Sequence, residues 1–464
     1  MLKSYLLAHL SSVITAFASV VLTIHVLASQ RSSQSLIAWL LALIFVPPLG
    51  IPLYLFFGTR KVQKHDRGPA RQSTPEEAQA LASATPRSQG IQRVLASSGL
   101  PPAALGNRFD LITDGVRAYR TLLELIAGAR TTVHLSYFIL SDDTTGRAVL
   151  DALVERARAG VEVRVLLDAV GSRRMLRRAR PRLRAAGGIA RAIGPLLHVP
   201  FRGRSNLRSH RKLAVFDGAI LFTGGMNLAV EYMGAAPSPA RWHDLAAVVR
   251  GPAVSDASDL FAADWRDCGG NATELTRLEP EPRAGDAVVQ VVSSGPDVVD
   301  DALYDALLSA AFAATERIAV VTPYYVPDDP MQLALLLGAR RGVRTQLVVP
   351  IESNHALADF ARRGPLRDLR RAGVEIAGYP GGMIHGKAMV VDDTFAYVGS
   401  PNYDVRSLLL NYENALFLYR EEEIAGVAAW IDGLRAAATT EDFDRERREW
   451  WLLEKIARLV APEL

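Results

Sequence analysis

The hydrophobic positions divide this chain into an apolar beginning and a longer, mixed remainder. Two stretches, 4–30 and 32–59, contain no Asp, Glu, Lys or Arg. Each exceeds the ~20 residues that an α-helix needs to span hydrocarbon, so the pattern predicts membrane spans at 6–28 and 36–57. Further along, apolar runs of strand length alternate with amphipathic stretches of helix length, which is typical of α/β proteins.

Two alternatives stay open for these apolar stretches. A cleaved signal peptide competes for the first, because Lys3 precedes an apolar run, although the run is longer than a signal peptide needs. A re-entrant hairpin competes for the second, because Pro47, Pro48 and Pro52 would kink it. Basic residues lie outside the pair, whereas the short connection holds only Arg31, so the positive-inside rule predicts that both ends face the cytoplasm. The outer basic residues are Lys3, Arg60, Lys61, Lys64 and Arg67.

An internal repeat follows this predicted membrane anchor of residues 1–60. Residues 61–106 are rich in Pro, Ser, Gln, Gly and charge, which predicts a linker. The remainder forms two similar halves, 107–280 and 281–464. Each half contains an apolar run, a helical stretch, a Gly and a second apolar run, at 133–168 and 318–350. The pattern predicts an α/β fold with a mixed sheet flanked by helices in each half.

The strongest chemical signal is a motif that occurs once in each half. Both copies read HxK(x)4D(x)6G(G/S)xN. The apolar run after each Lys predicts a strand on which the His and Lys share a face, and a turn at the Asp would return the chain to the Asn. Imidazole can act as nucleophile or general acid, while ammonium and amide groups can hold phosphate oxygens. The motif residues are His210, Lys212, Asp217, Gly225 and Asn227 in the first copy and His385, Lys387, Asp392, Ser400 and Asn402 in the second.

These residues resemble the duplicated motif of the phospholipase D superfamily. The flanking segments LRSHRKLAVFDGAILFTGGMNLAVEY, TPYYVPDD, MIHGKAMVVDDTFAYVGSPNYDVRSLLLNYE and IARLVAPEL are similar to those of bacterial cardiolipin synthases. The resemblance implies two pseudo-twofold-related phospholipase D-like lobes whose motifs meet in one cleft. It also implies a multi-pass protein of the bacterial inner membrane with a cytoplasmic catalytic domain.

The activity that the resemblance implies is transfer of a phosphatidyl group between two phosphatidylglycerol molecules, with release of glycerol and without a cofactor. Its partners would be phosphatidylglycerol, cardiolipin and the bilayer. A phospholipase D-type hydrolase, a phosphatidylserine synthase and a nuclease stay open because the same motif serves those reactions. A non-enzymatic scaffold is disfavoured, since it would not need both histidines.

The family tendency places the nucleophile in the N-terminal motif, so His210 is expected to form a phosphatidyl-histidine while His385 acts as acid and then base. The motif symmetry alone also permits the reverse. Each His needs a carboxylate to orient it, and the resemblance suggests the pairs His210–Asp244 and His385–Glu413. The lysines, both Asn residues and Ser400 are expected to hold phosphate. Asp217 and Asp392 belong to the catalytic motif but lie at predicted bends, which favours a structural role.

Composition and net charge limit the kinds of ligand and partner that the sequence can be expected to bind. The net charge of +4 is too small to indicate nucleic-acid binding. The single Cys268 excludes an intrachain disulfide. The nine histidines form no HExxH or Cys/His cluster, so we predict no metal site.

Other patterns are ambiguous. The arginines between 173 and 184 would suit either an anionic lipid surface or a solvated helix face. Tyr137, Phe138, Tyr324 and Tyr325 follow repeat strands and would line either the lipid entrance or the core. The histidines without a matching partner receive no role; they are His198, His243 and His355.

Overall fold

A computed structural model describes residues 2–29, 33–58, 61, 72–83, 85–195, 206–279, 281–298, 300–439 and 454. The chain forms two compact units, one of residues 1–62 with 194–207 and the other of residues 63–193 with 208–464. His198, Arg60, Lys64 and Arg67 lie outside the described residues.

The helices are α1 (Leu2–Ala28), α2 (Ser33–Phe45), α3 (Pro47–Phe57), α4 (Pro75–Ser83), α5 (Pro86–Ser97), α6 (Gly115–Gly128), α7 (Thr144–Arg158), α8 (Arg173–Ala185), α9 (Ala253–Asp267), α10 (Ala302–Ala313), α11 (Asp329–Arg340), α12 (Ala356–Ala361), α13 (Arg363–Arg371), α14 (Val405–Leu409) and α15 (Glu421–Ala436), with one 3-10 turn at Ala272–Glu274. The strands are β1 (Ala104–Ile112), β2 (Thr132–Tyr137), β3 (Glu162–Asp168), β4 (Ile189–Ile193), β5 (Leu213–Phe216), β6 (Ile220–Gly224), β7 (Ala246–Arg250), β8 (Ala287–Ser294), β9 (Arg317–Val321), β10 (Tyr325–Val326), β11 (Arg344–Pro350), β12 (Glu375–Tyr379), β13 (Ala388–Val391), β14 (Phe395–Gly399), β15 (Tyr403–Asp404) and β16 (Glu413–Leu418).

One continuous sheet of 14 strands runs through the larger unit, in the order β12-β11-β9-β13-β14-β16-β8-β1-β7-β6-β5-β2-β3-β4. Strands β1–β7 belong to the first lobe and β8–β16 to the second. The central pair, β1 and β8, is antiparallel, and the order outward from it is the same in both lobes. This arrangement confirms the predicted α/β class with pseudo-twofold-related lobes, and it also joins the two predicted sheets into one.

Helices cover both faces of this sheet. One face packs on α9 and α15, and that apolar cluster contains residues of both lobes, among them Phe261 and Val427. The other face is covered separately in each lobe, by α6, α7 and α8 in the first and by α5, α10, α11 and α13 in the second. Strands β2, β5, β13 and β16 are buried along their whole length, as expected for inner strands covered on both faces.

The segment predicted as a linker, 61–106, is partly built into the second lobe. In α5, Ile91 and Leu95 are fully or almost fully buried in the core of that lobe, and β1 begins at Ala104. Arg87 also binds Asp392 at 2.5 Å. Composition does not disclose this packing, because α5 is polar on average and its large apolar side chains are confined to Ile91, Val94 and Leu95. Within this segment, residues 62–71 and 84 lie outside the described part.

The apolar N-terminal region contains three helices. A 20-residue portion of α1, His9–Ala28, is long and apolar enough to cross a membrane. The second predicted span is divided into α2 and α3 at Val46, because Pro47 and Pro48 cannot continue the α2 hydrogen bonding. Both parts are shorter than a full span. The break agrees with the kink expected from the prolines.

Candidate active site

The segment that leads into each motif strand forms a β-bridge with a segment of the other lobe, Ser209 with Tyr412 and Ile384 with His243. His210 N–H donates to the carbonyl of Tyr412 at 2.8 Å. By the same pattern, His385 N–H donates to the carbonyl of His243 at 2.7 Å, and His243 N–H donates to the carbonyl of Met383 at 2.8 Å. Each motif histidine is therefore held against the chain that follows the other lobe's motif. Both lobes contribute to one site.

The His210 imidazole is oriented by a carboxylate of the second lobe. Its Nδ1 lies 2.9 and 3.0 Å from the two carboxylate oxygens of Glu413. Ser400 Oγ donates to the same carboxylate. Burial, the largest single effect, raises the pKa of Glu413, but the interactions with His210, Lys212 and Ser400 together outweigh burial and lower it. An ionised carboxylate can only accept, so the proton of His210 is on Nδ1 and its Nε2 keeps a lone pair.

The His385 imidazole has the reciprocal arrangement with the first lobe. Its Nδ1 lies 2.7 Å from Oδ2 of Asp244. Lys387 Nζ lies over the same ring, 2.6 Å from Nδ1 and 3.0 Å from Nε2. A Cβ at Gly225 would collide with the Asp244 carboxylate. The difference between Gly225 and Ser400 is thus explained, since the first copy needs space for Asp244 where the second copy has a donor to Glu413.

The expected pairing of histidines and carboxylates was wrong. Asp244 and Glu413 are the orienting residues, but each one pairs with the histidine of the other lobe. The cause is the pseudo-twofold contact, which brings the chain just before β16 against His210 and the chain just before β7 against His385. Sequence distance favours partners in the same lobe, and the duplicated motif carries no signal for the exchange.

The two motif lysines are fully buried beside the histidines. Lys212 Nζ donates to the carbonyl of His210 at 2.9 Å. Burial lowers the pKa of Lys212 to about 7, and the like charge of Lys387 acts in the same direction. Burial lowers the pKa of Lys387 to about 8 against the opposing effect of Asp244. Burial therefore weakens the charged form of both lysines, and an anion bound beside them would favour that form.

The remaining predicted phosphate-binding residues divide into two groups. Asn227 and Asn402 are buried at the end of each motif; Asn227 Oδ1 accepts from Ile139 N–H at 3.3 Å, and Asn402 bonds the Asp404 carboxylate. Their phosphate-binding role stays a prediction. Ser400 differs, because its side chain points to β16 of its own lobe and is fully buried. It donates its hydroxyl proton to Glu413, and its phosphate-binding role also stays a prediction.

Burial also sets the charge of the histidines. It lowers the pKa of His210 to about 4, with Glu413 opposing, and it lowers the pKa of His385 well below the ordinary value, with the charge of Lys387 adding to the effect. Burial raises the pKa of Asp244 to about 6. The site therefore has neutral imidazoles near neutral pH. A bound phosphate anion would favour the protonated form of a nearby imidazole.

The motif aspartates are turn residues. Both have positive φ, 51° at Asp217 and 52° at Asp392. The Asp217 carboxylate accepts from the N–H groups of residues 130, 131 and 132, and Asp392 accepts from those of residues 315, 316 and 317. Each carboxylate ties its hairpin to the loop before the neighbouring strand, β2 or β9. The structural role favoured by the sequence agrees with these contacts, and neither carboxylate binds a motif histidine.

Substitution of Asp392 by Ala is expected to lower stability with little change in turnover by the folded enzyme. It would remove the acceptor for three N–H groups and for Arg87, and charge-assisted bonds contribute about 1.5–3 kcal/mol each. We expect a loss of about 3 kcal/mol, measured as a lower thermal midpoint. Asp392→Asn is the matched control, because Asn keeps one acceptor and tolerates positive φ. Unchanged stability with lost turnover would assign the carboxylate to the chemistry.

A buried arginine network supports the first motif. Arg211 lies between His210 and Lys212, is fully buried, and donates to Glu413 O at 3.2 Å. It also binds Asp264 of the first lobe and Asp297 of the second. The second motif has Gly386 in the equivalent position, where a Cβ would collide with the Trp430 ring. Arg211 therefore links the lobes beside the His210–Glu413 pair, and the motif symmetry gave no indication of it.

Aromatic side chains form the walls around the histidines. The Phe138 ring lies 5.1 Å from that of His210, while the Tyr232 and Trp242 rings lie 4.8 and 5.5 Å from that of His385. Among the four aromatic residues singled out by sequence, Phe138 is at the site and Tyr324 contacts His355; Tyr137 and Tyr325 are in the core.

Sequence reasoning missed Tyr232 and Trp242, and it gave no role to His243, whose backbone holds His385. These residues lie outside the duplicated motif, so the repeat provides no signal for them.

This geometry defines the class of the protein. Two HxK motifs converge on one site, and each histidine is oriented by a carboxylate, as in a duplicated phospholipase D-like enzyme. A family model described as cardiolipin synthase, phospholipase D-like domain, matches residues 122–265 and 307–435. A second model, described as phospholipase D-nuclease N-terminal, matches residues 17–58.

Full-length relatives narrow the class. The chain is 32% identical to the major cardiolipin synthase of Bacillus subtilis strain 168, covering 94% of this chain and 95% of that protein. It is 33% identical to cardiolipin synthase A of Pseudomonas aeruginosa, covering 96% and 94%. The crystal structure of phosphatidylserine synthase from Haemophilus influenzae Rd KW20 shares the fold at a TM-score of 0.61 and 15% identity, covering 81% of this chain and 98% of that one. The chain belongs to the cardiolipin synthase family.

Proposed function

We propose that this protein is a phosphatidyltransferase that makes cardiolipin from two molecules of phosphatidylglycerol and releases glycerol. The observation that carries the proposal is the crossed pair of histidine–carboxylate contacts in one site. It provides two oriented imidazoles, one for each proton-transfer role, and two buried lysines beside them. The family membership supports lipid as the substrate class.

In the first step, His210 Nε2 attacks the phosphorus of one phosphatidylglycerol. The bond between phosphorus and the headgroup glycerol oxygen breaks, and His385 gives its proton to that oxygen, so glycerol leaves. The protonated Nδ1 of His210 stays hydrogen-bonded to Glu413, which stabilises the positive charge as the N–P bond forms. The donor phosphate itself favours protonation of His385 before this step.

In the second step, the neutral His385 takes the proton of the headgroup hydroxyl of a second phosphatidylglycerol. That oxygen attacks phosphorus, the N–P bond breaks, and His210 returns to its neutral form. In both steps, the charge on the phosphate oxygens is met by the side chains of Lys212, Lys387, Asn227 and Asn402 in this proposal. The reaction is balanced with the two imidazoles as the only proton carriers.

A single-substrate experiment tests this function. Purified full-length protein given labelled phosphatidylglycerol alone should form cardiolipin and glycerol in equal amounts. Phosphatidic acid as the main product would assign a hydrolase instead. A requirement for serine or cytidine-containing lipid would assign a phosphatidylserine synthase.

The same assay tests whether a metal is needed. Among the described residues, no group of three or more His, Cys, Asp or Glu has the arrangement of a metal site, and we propose that the lysines and amides supply the charge stabilisation. Excess chelator should leave the rate unchanged. Loss of activity that one divalent ion specifically restores would contradict this.

We also propose a cytoplasmic catalytic domain attached to the inner membrane by the N-terminal helices. The apolar α1 supports membrane association, and the flanking basic residues support the orientation. A reporter at the C-terminus that is active only in the cytoplasm is the expected result. Activity only outside the cytoplasm would reverse the topology and leave the enzyme assignment intact.

A further inference from the structure

The arginines of α8 form a surface feature that the catalytic mechanism does not use. Four of them, spaced i, i+4, i+7 and i+11, lie on one stripe of the helix. All four are exposed and make no ion pair with the described residues, whereas Arg178 and Arg182 bind Asp142 and Asp151. The stripe consists of Arg173, Arg177, Arg180 and Arg184.

The charges at the start of this helix work against its stability, whereas Arg184 lies in the last turn, where a cation is favourable. The first turn of α8 contains no acidic residue and begins with Arg173 and Arg174, although cations are unfavourable at the positive end of a helix dipole. Ser172, at the N-cap position, makes no capping bond. Residues that lower the stability of their own helix without a compensating contact are typical of functional positions.

The start of α8 adjoins the catalytic site. Ser172 Oγ donates to the carbonyl of Phe138 at 2.8 Å, and a Cβ at Gly171 would be 2.6 Å from the same oxygen. The ring of Phe138 in turn contacts that of His210. Before Gly171, Val170 exposes 45% of its surface. The exposed Val170 and two arginines that form no ion pair within the described part of the chain therefore lie at the edge of the site.

The two ends of the stripe differ in their distance from the site. Strands β3 and β4 are parallel, so α8, which connects them, runs back toward the opposite edge of the sheet. Arg180 and Arg184 lie seven residues after Arg173 and Arg177, which is about 10 Å along a helix. The equivalent helix in the second lobe, α13, has its Arg367 paired with Glu454 at 2.5 Å.

We propose that Val170, Arg173 and Arg177 form a docking surface that holds the catalytic site against an anionic bilayer. The inference rests on the proposed function, because lipid substrates require the site to face the membrane. Guanidinium groups bind lipid phosphates, each charge near an anionic surface contributes to binding, and Val170 enters the interfacial region. The committed partner is a bilayer rich in anionic phospholipid, which also contains the substrate.

The full chain reconstituted in vesicles of phosphatidylglycerol diluted with phosphatidylcholine provides the test. At low salt, Arg173→Gln with Arg177→Gln should require about tenfold more phosphatidylglycerol in the surface for half-maximal rate, since two charges are removed from it. The matched control, Arg180→Gln with Arg184→Gln, removes the same number of charges from the same stripe. Its half-maximal phosphatidylglycerol content should stay within about twofold of the wild-type value. At about 1 M salt the variants should converge, because charges beyond about 3 Å are then screened.

Detergent-dispersed lipid separates this inference from the function. There the Arg173/Arg177 variant should turn over at the wild-type rate. If the wild type makes no cardiolipin in either system, the proposed function fails. Equal effects of both arginine pairs on vesicles, or no effect of either, would overturn the docking surface while the function stands.

A measurement that does not depend on activity completes the test. Val170→Trp should gain fluorescence quenching over the wild type when the vesicle lipids are brominated in their acyl chains. The absence of additional quenching would place Val170 in water and overturn the docking surface.

Discussion

Replacing His210 with Ala is expected to abolish phosphatidyl transfer from every donor, whereas replacing His385 with Ala is expected to be rescued in its first step by a better leaving group. Loss of the nucleophile removes the covalent route itself. Loss of the general acid removes a contribution of about 10²–10⁴, but only when the leaving oxygen needs a proton. With phosphatidylglycerol, both variants should fall by several orders of magnitude.

The distinguishing substrate is a phosphatidyl ester of p-nitrophenol, whose oxyanion leaves without a proton. His385→Ala should release about one equivalent of p-nitrophenol per enzyme in a burst and retain labelled lipid on the protein, because the base for the second step is also missing. His210→Ala should show neither. The opposite pattern would exchange the roles of the two histidines, and near-normal cardiolipin formation by either folded variant would contradict the two-histidine mechanism.

The sequence predicts those parts of the fold that are determined by residues close together in the chain. Apolar runs bounded by glycine and aspartate gave β5 and β6, and again β13 and β14, at the expected places. The turn residue Asp217 has the positive φ that a hairpin turn requires. The pseudo-twofold relation followed from the duplication.

The parts that escaped prediction depend on contacts between distant segments. The crossed carboxylates are 203 residues (His210 to Glu413) and 141 residues (His385 to Asp244) from their histidines in the chain. Composition assigned α5 to a linker, although its three large apolar residues, Ile91, Val94 and Leu95, pack in the core of the second lobe. The hydrophobic periodicity of one helix or strand does not show which distant segment it packs against, so only the structure shows these contacts.

Because the carboxylates pair with the histidines of the other lobe, each carboxylate should affect a different catalytic step from the one it would affect if the pairs lay within one lobe. Glu413→Gln should impair the step in which His210 is the nucleophile, because an amide can no longer fix the proton on Nδ1 and stabilise the imidazolium. Asp244→Asn should instead impair the proton transfers of His385. In the Ser-His-Asp triad, replacing the carboxylate by an amide lowers kcat by about 10⁴, so we expect losses of about two to four orders of magnitude with phosphatidylglycerol.

The p-nitrophenyl donor then identifies which histidine each carboxylate serves. Asp244→Asn should recover the burst of p-nitrophenol, as His385→Ala does, and Glu413→Gln should not. Ser400→Gly is the matched control, since it copies the first motif and removes one hydrogen bond to Glu413 together with the acceptor of Asn414 N–H. Its loss should be smaller and of the Glu413 type. Adding Glu413→Gln to His210→Ala should cause no further loss, because residues that act as a unit are not additive. A burst in Glu413→Gln together with none in Asp244→Asn would restore the same-lobe pairs, His210 with Asp244 and His385 with Glu413.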